Sequence, residues 1–237
     1  MPEALRNTLL TALMALIFGF LGAATWSYAG LADARTQQYL LKNPDLLPQM
    51  AEAYQVQEAQ KRLADLGEDV YTPFSGAVLG NPNGSKTLVK FTDYNCGYCE
   101  ASLSDVDRLV SEDPDLKVVL REMPLFEGSE AAARMALAAG MQGKFKAFHL
   151  AMFERSPVTP ESLDAAAKAA GLDLAKAQTD MASEAVSVEL AKNFSFAQTL
   201  GFDGTPAWIA TGTPLNGAVG YEKLKEALDE QPASTES

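Results

Sequence analysis

The chain has 237 residues, 47% apolar and 21% charged: enough to bury a sizeable core, and too apolar for a disordered polymer. Nineteen Lys and Arg against 31 Asp and Glu give a formal net charge of −12 with no basic stripe, which excludes nucleic acid as a partner. Two cysteines cannot staple a disulfide scaffold, and with a single histidine they fall short of a four-ligand zinc site. No metal and no cofactor is implied.

From Asn7 to Ala32 no residue is charged. Its strongest part, Leu9 to Leu21, suits the apolar region of a signal peptide, with small residues for cleavage at Ser27/Ala29 and Ala32/Ala34. Leu9 to Tyr28 also spans roughly 30 Å as a helix, the thickness of a bilayer core, with Trp26 and Tyr28 where an interfacial aromatic belt lies. Residues 1–32 are therefore either a cleaved signal or an uncleaved inner-membrane anchor held by 9–28. Either way the rest is exported, to a periplasm where disulfides form.

Residues 33–70 carry a helical pattern, split by Pro44 and Pro48, with Asn43 and Asp45 as caps and Gly67 as the stop. Leu40, Leu47, Met50 and Tyr54 recur at helical spacing, followed by Val56, Ala59, Leu63 and Leu66. That stripe is too short for a sustained coiled coil, so 33–69 is either a helix docked on its own domain or a stalk joining copies of the chain. Beyond Tyr71, turn signals surround a short apolar piece, and Thr87–Phe91 predicts a strand. A helix is expected from Cys96 to Ser111, a second strand over Asp115–Met123 ended by Pro124, and helices throughout 129–198. Two short strands between 201 and 220, a closing helix from Tyr221 and a disordered tail over 231–237 complete the order. Strand, helix, strand, helical block, hairpin, helix is an α/β arrangement with helices on both sheet faces.

The chemistry concentrates in Cys96-Gly97-Tyr98-Cys99. Cys96 falls where a strand hands over to a helix, so its sulfur meets unpaired N–H groups and the positive end of the dipole, which favour the nucleophilic thiolate. Cys99 stacks one turn behind, as a resolving thiol would, and the pair can cycle between dithiol and disulfide. A structural disulfide would close too small a loop to stabilise much. Two-coordinate Cu(I) binding is the other chemistry open to two thiolates, so a copper-handling or chaperone-like binding protein is the alternative class. His149 sits among apolar neighbours and Met135, Met141 and Met152 at helical spacing; packing accounts for them.

The lead-in from Phe74 through Cys99, the stretch Arg121–Ala139 and the segment Gly204–Gly212 together resemble the DsbA family of thioredoxin-fold thiol–disulfide oxidoreductases. The CGYC motif and the helical segment around Leu40–Met50 resemble its ScsC-like, membrane-associated branch. The resemblance implies a thioredoxin-like domain over 71–230, with a helical insertion at about 128–200, preceded by an N-terminal helical segment. It implies Cys96 as attacking and Cys99 as resolving cysteine, Gly97 and Tyr98 tuning reactivity and meeting substrate, and Thr205–Pro206 as a cis-proline loop that pairs with an incoming peptide. The implied partners are exported proteins with cysteines and a membrane redox partner. The chain departs from the pattern six residues before Cys96, where members commonly carry a buried acid and this sequence has Lys90. A cation there is expected to favour the Cys96 thiolate and to leave Cys99 without its proton acceptor, unless Lys90 reaches solvent or pairs with Glu122.

Overall fold

The computed structural model describes residues 3–28 and 31–229, which fall into two compact units, Met1–Tyr54 and Gln55–Ser237. The expected tail at 231–237 and Ala29 of the first cleavage motif lie outside the described residues. The first unit holds helix α1 (Glu3–Tyr28), α2 (Leu31–Lys42) and the start of α3 (Leu46–Leu66). Within α1, Arg6–Trp26 is long and apolar enough to cross a membrane, with a mean hydropathy of 2.0. Asn43 ends α2, its side-chain amide donating to the Tyr39 carbonyl at 2.8 Å. Pro44 follows in the break, but Pro48 does not split the segment: it occupies the first turn of α3, where a backbone N–H has no intrahelical acceptor to lose.

The second unit is built on a five-stranded sheet in the order β1-β3-β2-β4-β5. After a 3-10 turn at Gly67–Tyr71 come β1 (Val78–Gly80) and β2 (Lys86–Thr92), then α4 (Gly97–Ala101), α5 (Leu103–Glu112) and β3 (Leu116–Glu122). The helical block is α6 (Ser129–Met141), α7 (Phe145–Phe153), α8 (Pro160–Ala169), α9 (Leu174–Met181) and α10 (Glu184–Leu200). It is followed by β4 (Ala207–Ala210), β5 (Thr213–Asn216) and α11 (Gly220–Asp229). Strand β2 runs parallel to β3 and antiparallel to β4. The apolar piece after Gly76 forms β1 on the edge of β3, too short to stand out in the sequence. The helix expected over 96–111 is two, broken at Ser102, whose hydroxyl bonds the Cys99 carbonyl at 2.7 Å instead of leaving the turn regular.

Both faces of the sheet are covered, so the centres of β2 and β3 are largely apolar, with Lys90, Arg121 and Glu122 as buried charges among them. One face packs Leu88, Leu120 and Trp208 against Val106 and Leu109 of α5 and Leu224 of α11. The other packs Val89, Phe91 and Ile209 against Phe196 and Leu200 of α10 and Leu63 of α3. Helix α6 is held close to the lead-in of β1 because Gly140 has no side chain; a Cβ there would sit 2.2 Å from the Ser75 carbonyl oxygen. Met135 and Met152 are buried in the first core, as packing residues should be.

Candidate active site

Strand β2 ends at Thr92, and the next three residues aim the dithiol. Asp93 is buried, and its carboxylate accepts from the Asn95 N–H at 2.7 Å, the Leu125 and Phe126 N–H groups at 2.6 and 3.0 Å, and the Ser129 hydroxyl at 2.5 Å. Asn95 donates to the Glu127 carbonyl at 3.0 Å and accepts from the Val158 N–H at 2.8 Å. One turn is thus tied to the loops before α6 and α8. Sequence reasoning missed both residues; the only signal was an Asp and an Asn flanking a helix start.

Cys96 is the N-cap residue of α4, extended at φ −90° and ψ 110°, and its Sγ donates to the Thr205 carbonyl oxygen at 3.1 Å. The Thr205–Pro206 peptide is cis. Two residues 109 positions apart in sequence are therefore in direct contact. Cys99 is fully buried behind Cys96, and both cysteines are unbridged. Burial pushes the Cys99 thiol up to about 11, while the Asp93 backbone, the Lys90 charge and the Thr205 side chain pull the other way. The Thr205 hydroxyl is buried on the Cys99 side and is a side-chain donor available to a Cys99 thiolate. Tyr98 is 70% exposed, and Gly97 faces open space.

Lys90 neither reaches solvent nor forms an ion pair with Glu122. It is completely buried, its Nζ donates to the Cys99 carbonyl at 3.3 Å, and it lies 5.3 Å from the centre of the Trp208 ring, its cross-strand neighbour. Burial pushes it down to about 8, opposed first by Cys99, then by Glu122 and Cys96. Its nearest electrostatic partner is thus Cys99 rather than Cys96. Glu122, Tyr94 and His149 are buried beside it: the Tyr94 hydroxyl donates to Glu122 Oε1 at 3.1 Å and meets His149 Nδ1 at 2.9 Å. Burial holds the Glu122 carboxyl well above, and the His149 imidazole well below, their ordinary ranges. Among the described residues no cluster of three or more His, Cys, Asp or Glu is placed to hold a metal ion.

A dithiol at a strand-to-helix junction, faced by a cis Thr-Pro peptide on the neighbouring strand, defines a thioredoxin-fold protein of thiol–disulfide exchange. Residues 87–229 match the model of the DSBA-like thioredoxin domain, and the chain belongs to that family. It is similar to a thioredoxin-like oxidoreductase from Silicibacter pomeroyi DSS-3, at 39% identity and a TM-score of 0.65, over 69% of this chain and 95% of that one. The catalytic domain of Proteus mirabilis ScsC matches at 26% identity and a TM-score of 0.65, over 73% of this chain and 98% of its own. Among curated sequences, Na(+)/H(+) antiporter NhaA 1 of Salinispora arenicola (strain CNS-205) is 28% identical over 162 residues, 67% of this chain. The chain spans about a quarter of the length of that relative.

Proposed function

We propose that the protein exchanges disulfides with the cysteines of exported proteins through Cys96 and Cys99. Cys96 attacks a client disulfide and Cys99 resolves the mixed disulfide; in the opposite direction a client thiolate attacks Cys96 of the oxidised pair, Cys99 leaves as thiolate, and the client's second thiolate displaces Cys96. The observation that carries this reading is the 3.1 Å contact between Cys96 Sγ and the Thr205 carbonyl, with Cys99 sealed behind. A client strand pairing with the Thr205–Pro206 backbone would lie across Cys96, with Gly97 leaving room and Tyr98 offering an exposed ring. Lys90 tunes the pair from below. CGYC and a threonine before the cis-proline, set against a cation that favours thiolate, suit an intermediate potential, for isomerisation or mild oxidation. The unit over 71–230 does this work in the periplasm, reset by a membrane redox partner. Residues 1–32 deliver or anchor it; of 33–70, the end docks on the domain through Leu63 and Val70, and the start serves as a stalk whose exposed Leu40, Leu47, Met50 and Tyr54 join copies of the chain.

Insulin reduction and refolding of scrambled ribonuclease test the reading. Both are expected to proceed with the intact protein and to stop in Cys96→Ser. Turnover surviving Cys96→Ser, or stoichiometric Cu(I) binding without any turnover, overturns it.

A further inference from the structure

The outer face of α10 carries no free charge. Val188, Ala191, Ser195 and Gln198 recur there at helical spacing and are exposed, and Phe194 beside them is 38% exposed. Between Ala185 and Phe202 the only charged residues are Glu189, buried against Arg121, and Lys192, paired with Glu189 at 2.8 Å. This face borders a groove of about 560 Å³, walled by Ala191, Phe194 and Gln198 of α10, by Met123 after β3 and by Phe202 before β4. Pockets that take ligand groups run from roughly 300 to 1,000 Å³.

The groove lies at the dithiol end of the sheet. Strand β3 is parallel to β2, and the Met123 N–H donates to the carbonyl of Thr92, where β2 ends before the Cys96 turn, at 2.9 Å. Phe202 stands shortly before Thr205, whose carbonyl touches Cys96 Sγ. The chain between Phe202 and Thr205 spans at most about 10 Å. Strand β4 enters the ladder only at Ala207, so Asp203, Gly204 and Thr205 stand outside it, and among the described residues nothing accepts from their N–H groups. A peptide laid along that open backbone from Cys96 reaches Phe202 within about three or four of its own residues.

We propose that this groove receives a large apolar or aromatic side chain of the client, carried about three or four residues from the cysteine that reacts with Cys96. The proposal rests on the exchange reaction assigned above and adds a sequence preference to it. Its occupant is an extended, uncharged stretch of unfolded chain, because the groove continues from the Thr205 backbone and offers Met123, Phe194 and Phe202 but no free charge. An acidic segment would gain nothing there and would meet the chain's own net charge of −12. The groove is on the α10 side of the sheet, away from α5 and α11, so the client's apolar side chain and the Cys96–Cys99 helix do not compete for one surface.

The test uses the full chain and fluorescent peptides in which serine replaces the reacting cysteine, so that binding is read without exchange. Anisotropy is expected to show a peptide with Phe three or four residues from that serine binding about 10-fold more tightly than one with Ser or Asp in its place. Phe194→Asp and Ala191→Glu, both at exposed positions, should bring the peptides to parity. A benzophenone side chain in place of the Phe should crosslink to Met123 or to residues 191–202 of the unaltered protein, which decides the matter even if a variant does not fold. No binding, equal affinities, a preference that survives both variants, or crosslinks confined elsewhere overturn the proposal. Equal affinities together with a halved mass of Phe194→Asp by light scattering would give the groove to a second copy of the chain instead. A peptide preference without insulin reduction would count against the exchange reaction alone.

Discussion

Lys90 is where burial and charge oppose each other most directly. Its ammonium is held at about 8 in the folded chain against 10.5 in a peptide, so between those values the unfolded chain carries the extra proton. Stability from this group therefore rises with pH across that window, and below pH 8 its full cost is present. The difference corresponds to about 3 kcal/mol at pH 7 and about 2 kcal/mol at pH 9. Lys90→Met, which keeps the stem and removes the charge, is expected to stabilise the dithiol form by about that amount at pH 7, with a smaller gain at pH 9. Urea unfolding of both proteins across that range checks it. A destabilised variant would show that the bonds of Nζ outweigh its desolvation.

On the opposite face of the sheet Arg121 binds elements together. Its guanidinium donates to Glu189 and to Asn193 of α10, and to the carbonyls of Asp69, Val70 and Thr72 in the 3-10 turn after α3. Arg121→Met would remove the side-chain donor from the Val70 and Thr72 carbonyls and leave Glu189 with only Lys192, a cost of about 3–5 kcal/mol in urea unfolding. A loss below about 1 kcal/mol would mean that the packing of Val70 holds the turn unaided. Neither buried network could be found in the sequence. The CGYC motif was legible because strand ends and helix starts are local signals, whereas Thr205–Pro206 as a cis-proline loop was implied by the resemblance to the DsbA family. Tyr94 and Glu122 lie 28 residues apart and Tyr94 and His149 lie 55 apart, and only the strand register and the seat of α7 on the sheet join them. His149 in an apolar run therefore looked like packing, and its bond to Tyr94 shows a polar role inside that packing. Pro48 misled for the opposite reason: its local meaning depends on which turn of the helix it occupies.

At the scale of the whole molecule, the unit that holds the dithiol has its own cores, whereas α1 exposes its large apolar side chains. Leu16, Phe18 and Phe20 are 71%, 65% and 76% exposed, and Arg6–Trp26 is apolar on every face. A helix apolar all round belongs in a bilayer or a core. Each Leu, Ile or Phe in the middle of the span favours insertion by about 0.5 kcal/mol, and no ionisable group in Asn7–Tyr28 opposes them. The positive-inside rule predicts Arg6 on the cytoplasmic side. The helix runs without a break to Tyr28, through the Ser27 position of the first cleavage motif. The full chain made in a bacterial cell is accordingly expected to pellet with the inner membrane, to resist a carbonate wash and to keep residues 9–28 in its intact mass. A membrane-impermeant maleimide added to spheroplasts should label Cys96. A soluble periplasmic protein whose first residue lies near Gly30 would show the signal reading to be the right one, with the dithiol chemistry unchanged.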